Sequence, residues 1–185
     1  MTTQDFTLSA THLGCSRDEQ LLFKPVSFAL QAGEGLIVEG PNGVGKTTLL
    51  RVLAGLLPPA CGQISVPKSL TYLGPHNGVK GLLTVIEYLK YFAKSQASVD
   101  FLQGLEHKPC AQLSSGQKQR VALARIVLSN AKLWILDEPM TALDKQGEQI
   151  FANILNTHLS QGNMAIIATH QTINHQLKKI ILEPK

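Results

Sequence analysis

Four short stretches carry residue types whose spacing suits the gripping and cleavage of a phosphate chain. Gly40-Pro41-Asn42-Gly43-Val44-Gly45-Lys46-Thr47-Thr48 has the form G-x-x-x-x-G-K-[ST]. A polyphosphate brings several negative charges that must be approached closely, without side chains in the way. Glycines at 40, 43 and 45 let backbone N–H groups close on it, and a helix starting at Lys46 adds its positive end. Lys46 supplies a point charge for the outer phosphates, and the Thr47 hydroxyl is the natural Mg²⁺ ligand.

Downstream, Leu133-Trp134-Ile135-Leu136 is an apolar strand that delivers Asp137 and Glu138 to its end. Asp137 there can hold Mg²⁺ through water, and Glu138 can polarise the attacking water as a general base. A strand ending in Asp-Glu is by itself an ordinary solvated terminus; the phosphate loop upstream and Pro139 after it favour the functional reading. Leu113-Ser114-Ser115-Gly116-Gln117 places Gln117 three residues after Ser114, a capping-box pattern that taken alone is a helix start. His170 closes the set, just after the apolar run Met164–Ala168. A lone histidine after a strand is usually structural, and Trp134 reads as core.

The elements that must position these groups alternate between strand and helix. Strands are expected over Asp5–Leu13, Val26–Leu30, Leu36–Glu39, Gln63–Val66, Ser69–Leu73, Lys132–Leu136, Met164–Ala168 and Lys179–Leu182. Helices are expected from Lys46 to Gly55, over Thr84–Lys94 through Val85, Tyr88, Leu89 and Phe92, over Ser114–Leu128, and over Asp144–Ser160. A further short helix is expected over Val99–Leu105. This alternation predicts an α/β fold with a mostly parallel sheet covered on both faces.

The 185 residues, 44% hydrophobic and 16% charged, suit one globular domain. No apolar run approaches the roughly 18 residues that span a bilayer, and Met1–Phe6 lacks a basic head and an apolar stretch. A cytosolic protein is expected, with any membrane role coming through a partner. The formal charge of +4 is spread over dispersed lysines and arginines, so no nucleic-acid partner is expected. Three scattered cysteines read as reduced thiols, and His107 with Cys110 lacks the second pair a metal site needs.

In this order, phosphate loop, Leu-Ser-Ser-Gly-Gln, Asp-Glu and His resemble the ATP-binding cassette (ABC) ATPases over nearly the whole chain. The resemblance implies ATP and Mg²⁺ as ligands and a P-loop core with an N-terminal antiparallel β portion. It also implies a second ATP-binding subunit, paired head to tail. Ser114, Gly116 and Gln117 would face the partner's γ-phosphate, Thr141-Ala142-Leu143-Asp144 would run along the dimer interface, and His170 would sense the γ-phosphate. Lys46 and Ser114 lie 68 positions apart, short for the family, so a reduced helical subdomain is expected at about 76–120 within a single domain 1–185. The family's adenine-stacking aromatic falls on Arg17, whose guanidinium can also stack on a base. The expected sensor glutamine falls on Pro75, where His76 or Asn77 substituting and a plain turn at Gly74-Pro75 are equally compatible.

Local similarity narrows the resemblance further. Arg17-Asp18-Glu19, the segment from Gly74 to Lys80, Leu133–Asp144 and Thr169-His170-Gln171 are similar to one branch, the ATP-binding subunit of the cytochrome c maturation (haem exporter) system. That branch implies integral inner-membrane partners and a peripheral position on the membrane's cytoplasmic face. The alternatives are a transporter motor for another cargo, a soluble cassette protein, which would need tandem cassettes or a coiled-coil insertion, and a nucleotide-gated subunit with little turnover.

Overall fold

The computed structural model describes residues 7–79, 81–94, 99–102, 104–173 and 176–185. Asp5, Phe6, Lys80 and Gln103, which belong to segments singled out in the sequence, lie outside the described residues. In chain order the strands are β1 (Leu8–Gly14), β2 (Ser16–Arg17), β3 (Gln20–Leu21), β4 (Val26–Leu30), β5 (Gly35–Glu39), β6 (Cys61–Ser65), β7 (Leu70–Leu73), β8 (Leu133–Asp137), β9 (Met164–Ala168) and β10 (Lys178–Ile181). The helices are α1 (Lys46–Leu53), α2 (Val85–Lys90), α3 (Ser115–Leu128) and α4 (Lys145–Ser160).

Strands β10-β5-β9-β8-β7 form one sheet whose neighbours all pair in parallel. Strands β4-β1-β6 form a separate antiparallel sheet. The central strands β5, β9 and β8 are apolar up to their carboxyl ends, where β5 finishes on Glu39 and β8 on Asp137, because both of their faces are covered. Leu36, Val38, Leu133, Ile135, Met164 and Ile166 pack with α1 and the antiparallel sheet. Their alternates Ile37, Trp134, Leu136, Ala165 and Ile167 pack against α3 and α4 on the other face.

Helix α3 is buried on two sides. Ala122, Leu123 and Ile126 join the sheet core, while Val121, Ala124 and Leu128 join a third cluster with Val85, Tyr88 and Leu89 of α2. It therefore ties the small helical region to the sheet. Burying these apolar groups contributes about 1.5–3 kcal/mol for each large side chain.

Two expectations need correcting. The helix expected over Val99–Leu105 is a single 3₁₀ turn, Asp100–Leu102, among the described residues. Helix α2 is shorter than Thr84–Lys94 and stops at Lys90, with Thr84 as its N-cap. Phe92 then packs from the following turn, 5.2 Å from the Tyr88 ring and 5.4 Å from the Arg125 guanidinium. Six residues of helix and one aromatic turn satisfy the same apolar face. The hairpin β2–β3 had no sequence signal, since its turn places Asp18 and Glu19 at φ of 50° and 65° without a glycine.

Candidate functional site

All four chemical stretches lie at or beside the carboxyl edge of the parallel sheet, where α/β proteins place ligands. The phosphate loop leaves β5 and enters α1, and Asp137 ends β8. His170 follows β9 by two residues. Together they frame a cleft of about 280 Å³, lined by Asn42, Gly43, Gly45, Lys46, Thr47, Thr48, Asp137, Glu138, His170, Arg17 and Pro75. The rest of the loop shapes it from behind. Val44 is buried in the core, and Gly40, at φ 146°, would drive a Cβ to 2.9 Å from the Leu182 carbonyl.

Lys46 is 9% exposed and its ammonium donates to the carbonyls of Gly40 (2.7 Å) and Pro41 (3.2 Å). Helix α1 starts on Gly45 at φ 111°, and no side chain caps it. Its first N–H groups are therefore left for an external acceptor.

Asp137 is buried, which pushes its carboxyl pKa up; a hydrogen bond from Thr47 and the nearby charges of Arg51 and Lys46 oppose the rise. Its Oδ2 is buried without any partner. A buried carboxylate oxygen with an unmet lone pair, beside a threonine hydroxyl, fits a hard divalent cation such as Mg²⁺. Glu138 sits at φ 50°, a left-handed conformation that costs a non-glycine residue on the order of 1 kcal/mol. Its N–H donates to the Ala168 carbonyl at 2.8 Å, which holds the turn. The carboxylate of Glu138 lies 3.6 Å from Nε2 of His170, and both side chains are partly exposed.

Ser114, Gly116, Gln117 and Asp144 are brought together elsewhere. They line a second recess of about 420 Å³, which shares no residue with the first. Ser114 Oγ accepts from the Gln117 N–H (3.2 Å), and Gln117 Oε1 accepts from the Ser114 N–H (3.0 Å). The capping-box pattern read from the sequence is thus present. A Cβ on Gly116 would sit 2.7 Å from the Ala142 carbonyl, so the loop preceding α4 closes on this glycine. Asp144 caps α4 by accepting from the Gly147 N–H at 2.8 Å and also binds Arg120 at 2.8 and 3.0 Å.

Arg17 reaches the first cleft because the β2–β3 hairpin carries it there. Of the Gly74–Asn77 segment, only Pro75 lines that cleft. Asn77 is used locally, its Oδ1 accepting from the Val79 N–H at 3.2 Å.

Three contributors went unread in the sequence. Gln119 is buried and donates to the Pro139 carbonyl at 2.7 Å, tying α3 to the turn that carries Glu138. Arg120 links α3 to the cap of α4. The signal available was the adjacent polar pair Gln119-Arg120 at the point where the helix turns mostly apolar. The third is the left-handed backbone at Glu138, which no residue type announces.

The family described as ABC transporter matches residues 23–141. The chain is 43% identical to the cytochrome c biogenesis ATP-binding export protein CcmA of Vibrio cholerae, over 96% of this chain and all of that relative. It is 41% identical to the protein of the same name from Rhodobacter capsulatus, over 88% of this chain and 80% of that one. The solved structure of cbiO1 from Clostridium perfringens, part of the ABC transporter complex cbiONQ, superposes with a TM-score of 0.77. It is 25% identical and covers 97% of this chain and 86% of that one.

Proposed function

The chain belongs to the ABC transporter family as an ATP-hydrolysing subunit with a P-loop core, and from that premise we propose how it works and for what. It is a single nucleotide-binding domain with a helical subdomain at about 76–120. ABC ATPases act with a second ATP-binding subunit and membrane partners. Here two copies pair head to tail, each completing the other's site. No helix among the described residues is long and apolar enough to cross a membrane. Coupling runs through integral membrane subunits. The chain sits peripherally on the cytoplasmic face of the inner membrane. Its assembly serves haem export or delivery in cytochrome c biogenesis, as the names of its relatives suggest.

The observation that carries this reading is the separation of the two recesses. One chain offers an uncapped helix start in the phosphate-loop cleft and a second helix start in a recess sharing none of its residues. ATP held between two copies needs both.

The chemistry is positioning and charge stabilisation. Backbone N–H groups of residues 40–48 receive the phosphates, and the Lys46 ammonium exchanges its two carbonyl acceptors for phosphate oxygens. Thr47 and Asp137 hold Mg²⁺, which when bound offsets charge on the phosphate chain. Glu138 takes a proton from water as the water oxygen bonds to the γ-phosphorus. The bond from that phosphorus to the bridging oxygen breaks, and ADP leaves. His170 couples the γ-phosphate to Glu138, and Arg17 stacks on the adenine. Ser114 and Gly116 of the second copy donate to the γ-phosphate, with Gln117 holding Ser114 in place.

Replacing Glu138 with Gln keeps the shape and removes the base. Turnover should fall by about 10²–10⁴-fold, and an ATP-bound dimer should accumulate on size-exclusion chromatography. Unchanged turnover would sink the assignment. For the partners, a tagged chain recovered from native membranes in mild detergent should carry polytopic and haem-handling proteins. A different permease would keep the mechanism and overturn the cargo.

A further inference from the structure

Helix α3 is fastened to the segment after Glu138 through Gly116, Gln119 and Arg120. A Cβ on Gly116 would meet the Ala142 carbonyl at 2.7 Å, so the two backbones approach closely there. Gln119 Nε2 donates to the Pro139 carbonyl at 2.7 Å, and Arg120 binds the Asp144 carboxylate at 2.8 and 3.0 Å. The glutamine contact is buried, with Gln119 8% exposed, whereas the arginine contact is exposed. A buried carboxamide has given up its water, so its bond to that carbonyl is costly to leave unmade.

Pro139 directly follows Glu138, and the turn they share is pinned from several sides. The Glu138 N–H donates to the Ala168 carbonyl at 2.8 Å, and the Thr141 N–H donates to the Glu138 carbonyl at 3.2 Å. Glu138 sits at φ 50°, a conformation that persists only where its surroundings over-determine it. The hold supplied by Gln119 comes from α3, less than two helical turns from the Ser114 cap.

We propose that Gln119 is a positioning residue that sets Glu138 of one site according to how α3 of the same chain is seated at the other. The proposal rests on the head-to-tail pairing above. In that pairing α3 begins at the second copy's γ-phosphate, while Glu138 works on its own chain's nucleotide. A shift of α3 on meeting phosphate moves Pro139 through the buried bond, and Glu138 with it. Each site thereby reports its occupancy to the other.

Gln119→Met keeps the body of the side chain and removes the donor. Assayed in the complex recovered from native membranes, kcat should fall about tenfold while KM for Mg²⁺-ATP stays within about twofold, because the phosphate-loop cleft is untouched. Gln119→Asn, one methylene shorter, should lose turnover in the same way and serves if the methionine variant misfolds.

The link itself is read in mixed pairs, co-expressed with two different tags and recovered through both. One chain carries Glu138→Gln, so turnover comes from Glu138 of the other, working chain. Adding Ser114→Asp to the working chain leaves its own site whole, since its phosphate meets the first chain's Ser114. Turnover should nonetheless fall at least about fivefold, but less than about twofold further when the working chain also carries Gln119→Met. An equal loss in both backgrounds, an unchanged kcat in both Gln119 variants, or a raised KM at unchanged kcat would each overturn the proposal. The pairing is checked separately, with Gln119→Met in the working chain throughout. Moving Ser114→Asp onto the Glu138→Gln chain leaves no whole site, so turnover should drop about tenfold or more relative to the split pair. Equal or reversed activities there would refute the pairing on which the link rests.

Discussion

Helix α1 starts on Gly45 in a left-handed conformation with no side chain bonded to its first turn. Helix α3 starts on Ser114, whose hydroxyl and whose partner Gln117 satisfy two of that helix's terminal N–H groups between them. Both starts lie in recesses, yet one is left open and the other is self-capped. The open one sits beneath a buried lysine and beside a buried aspartate, so it can receive a triphosphate from a single chain. At the closed one, Ser114 accepts with a lone pair and keeps its own proton to donate, so it can add a contact without losing its cap. On the proposed function, the difference separates binding, which one chain does alone, from completion, which takes a second.

The comparison breaks first at Lys46. Removing its ammonium with Lys46→Ala deletes charge-assisted bonds worth about 1.5–3 kcal/mol each. Affinity of the isolated chain for Mg²⁺-ATP should fall by about 10²-fold or more, measured by equilibrium titration. Changes at the α3 start should leave that same affinity untouched. If Lys46→Ala binds normally, the uncapped helix start alone is the anion site and the lysine is structural.

A second prediction keeps acid effects on the scaffold from being misread as chemistry at His170. His158, held neutral by burial with Lys132 nearby, has its pKa lowered from 6.5 to about 4. Below pH 6.5 the unfolded chain takes up a proton that the folded chain refuses, so stability falls as pH drops toward 4. At about 1.4 kcal/mol per pH unit, roughly 2 kcal/mol is lost between pH 6.5 and 5. His158→Gln, which retains a donor for the Met164 carbonyl, should flatten that slope in denaturant melts. A slope unchanged by the substitution would assign the acid sensitivity to other groups. The pH profile of turnover in that variant then reports on the phosphate-loop cleft alone.

How far such distinctions could be read in advance depended on whether residue type or close approach decides the geometry. The parallel sheet was legible because uninterrupted runs such as Leu133–Leu136 survive only with both faces buried. The phosphate loop was legible because glycine, lysine and threonine at that spacing leave one reading. Arg17 was assigned by register, but the Asp18-Glu19 turn that delivers it is left-handed without glycine, so no residue type pointed to a hairpin there. Gly116 was read for its backbone N–H alone. Its fit against the Ala142 carbonyl depends on a loop that folds back from 26 residues downstream, and spacing along a chain does not encode that.

The finest cut through the comparison is at Ser114, where capping and phosphate contact use the same oxygen. Ser114→Ala removes both and should cost about 1 kcal/mol of stability by losing the cap. Ser114→Asp separates them, because aspartate caps as well as serine while its carboxylate opposes an incoming phosphate. It should therefore melt within about 0.5 kcal/mol of the parent, bind Mg²⁺-ATP normally as an isolated chain, and lose turnover by about tenfold or more through charge repulsion at the completed site. Full turnover in Ser114→Asp would mean that the recess never meets a phosphate and that its serine is a cap and nothing else. Normal stability with lost turnover would instead show one hydroxyl accepting from its own helix and donating to the other chain's nucleotide, the arrangement that makes α3 dependent on a partner and α1 not.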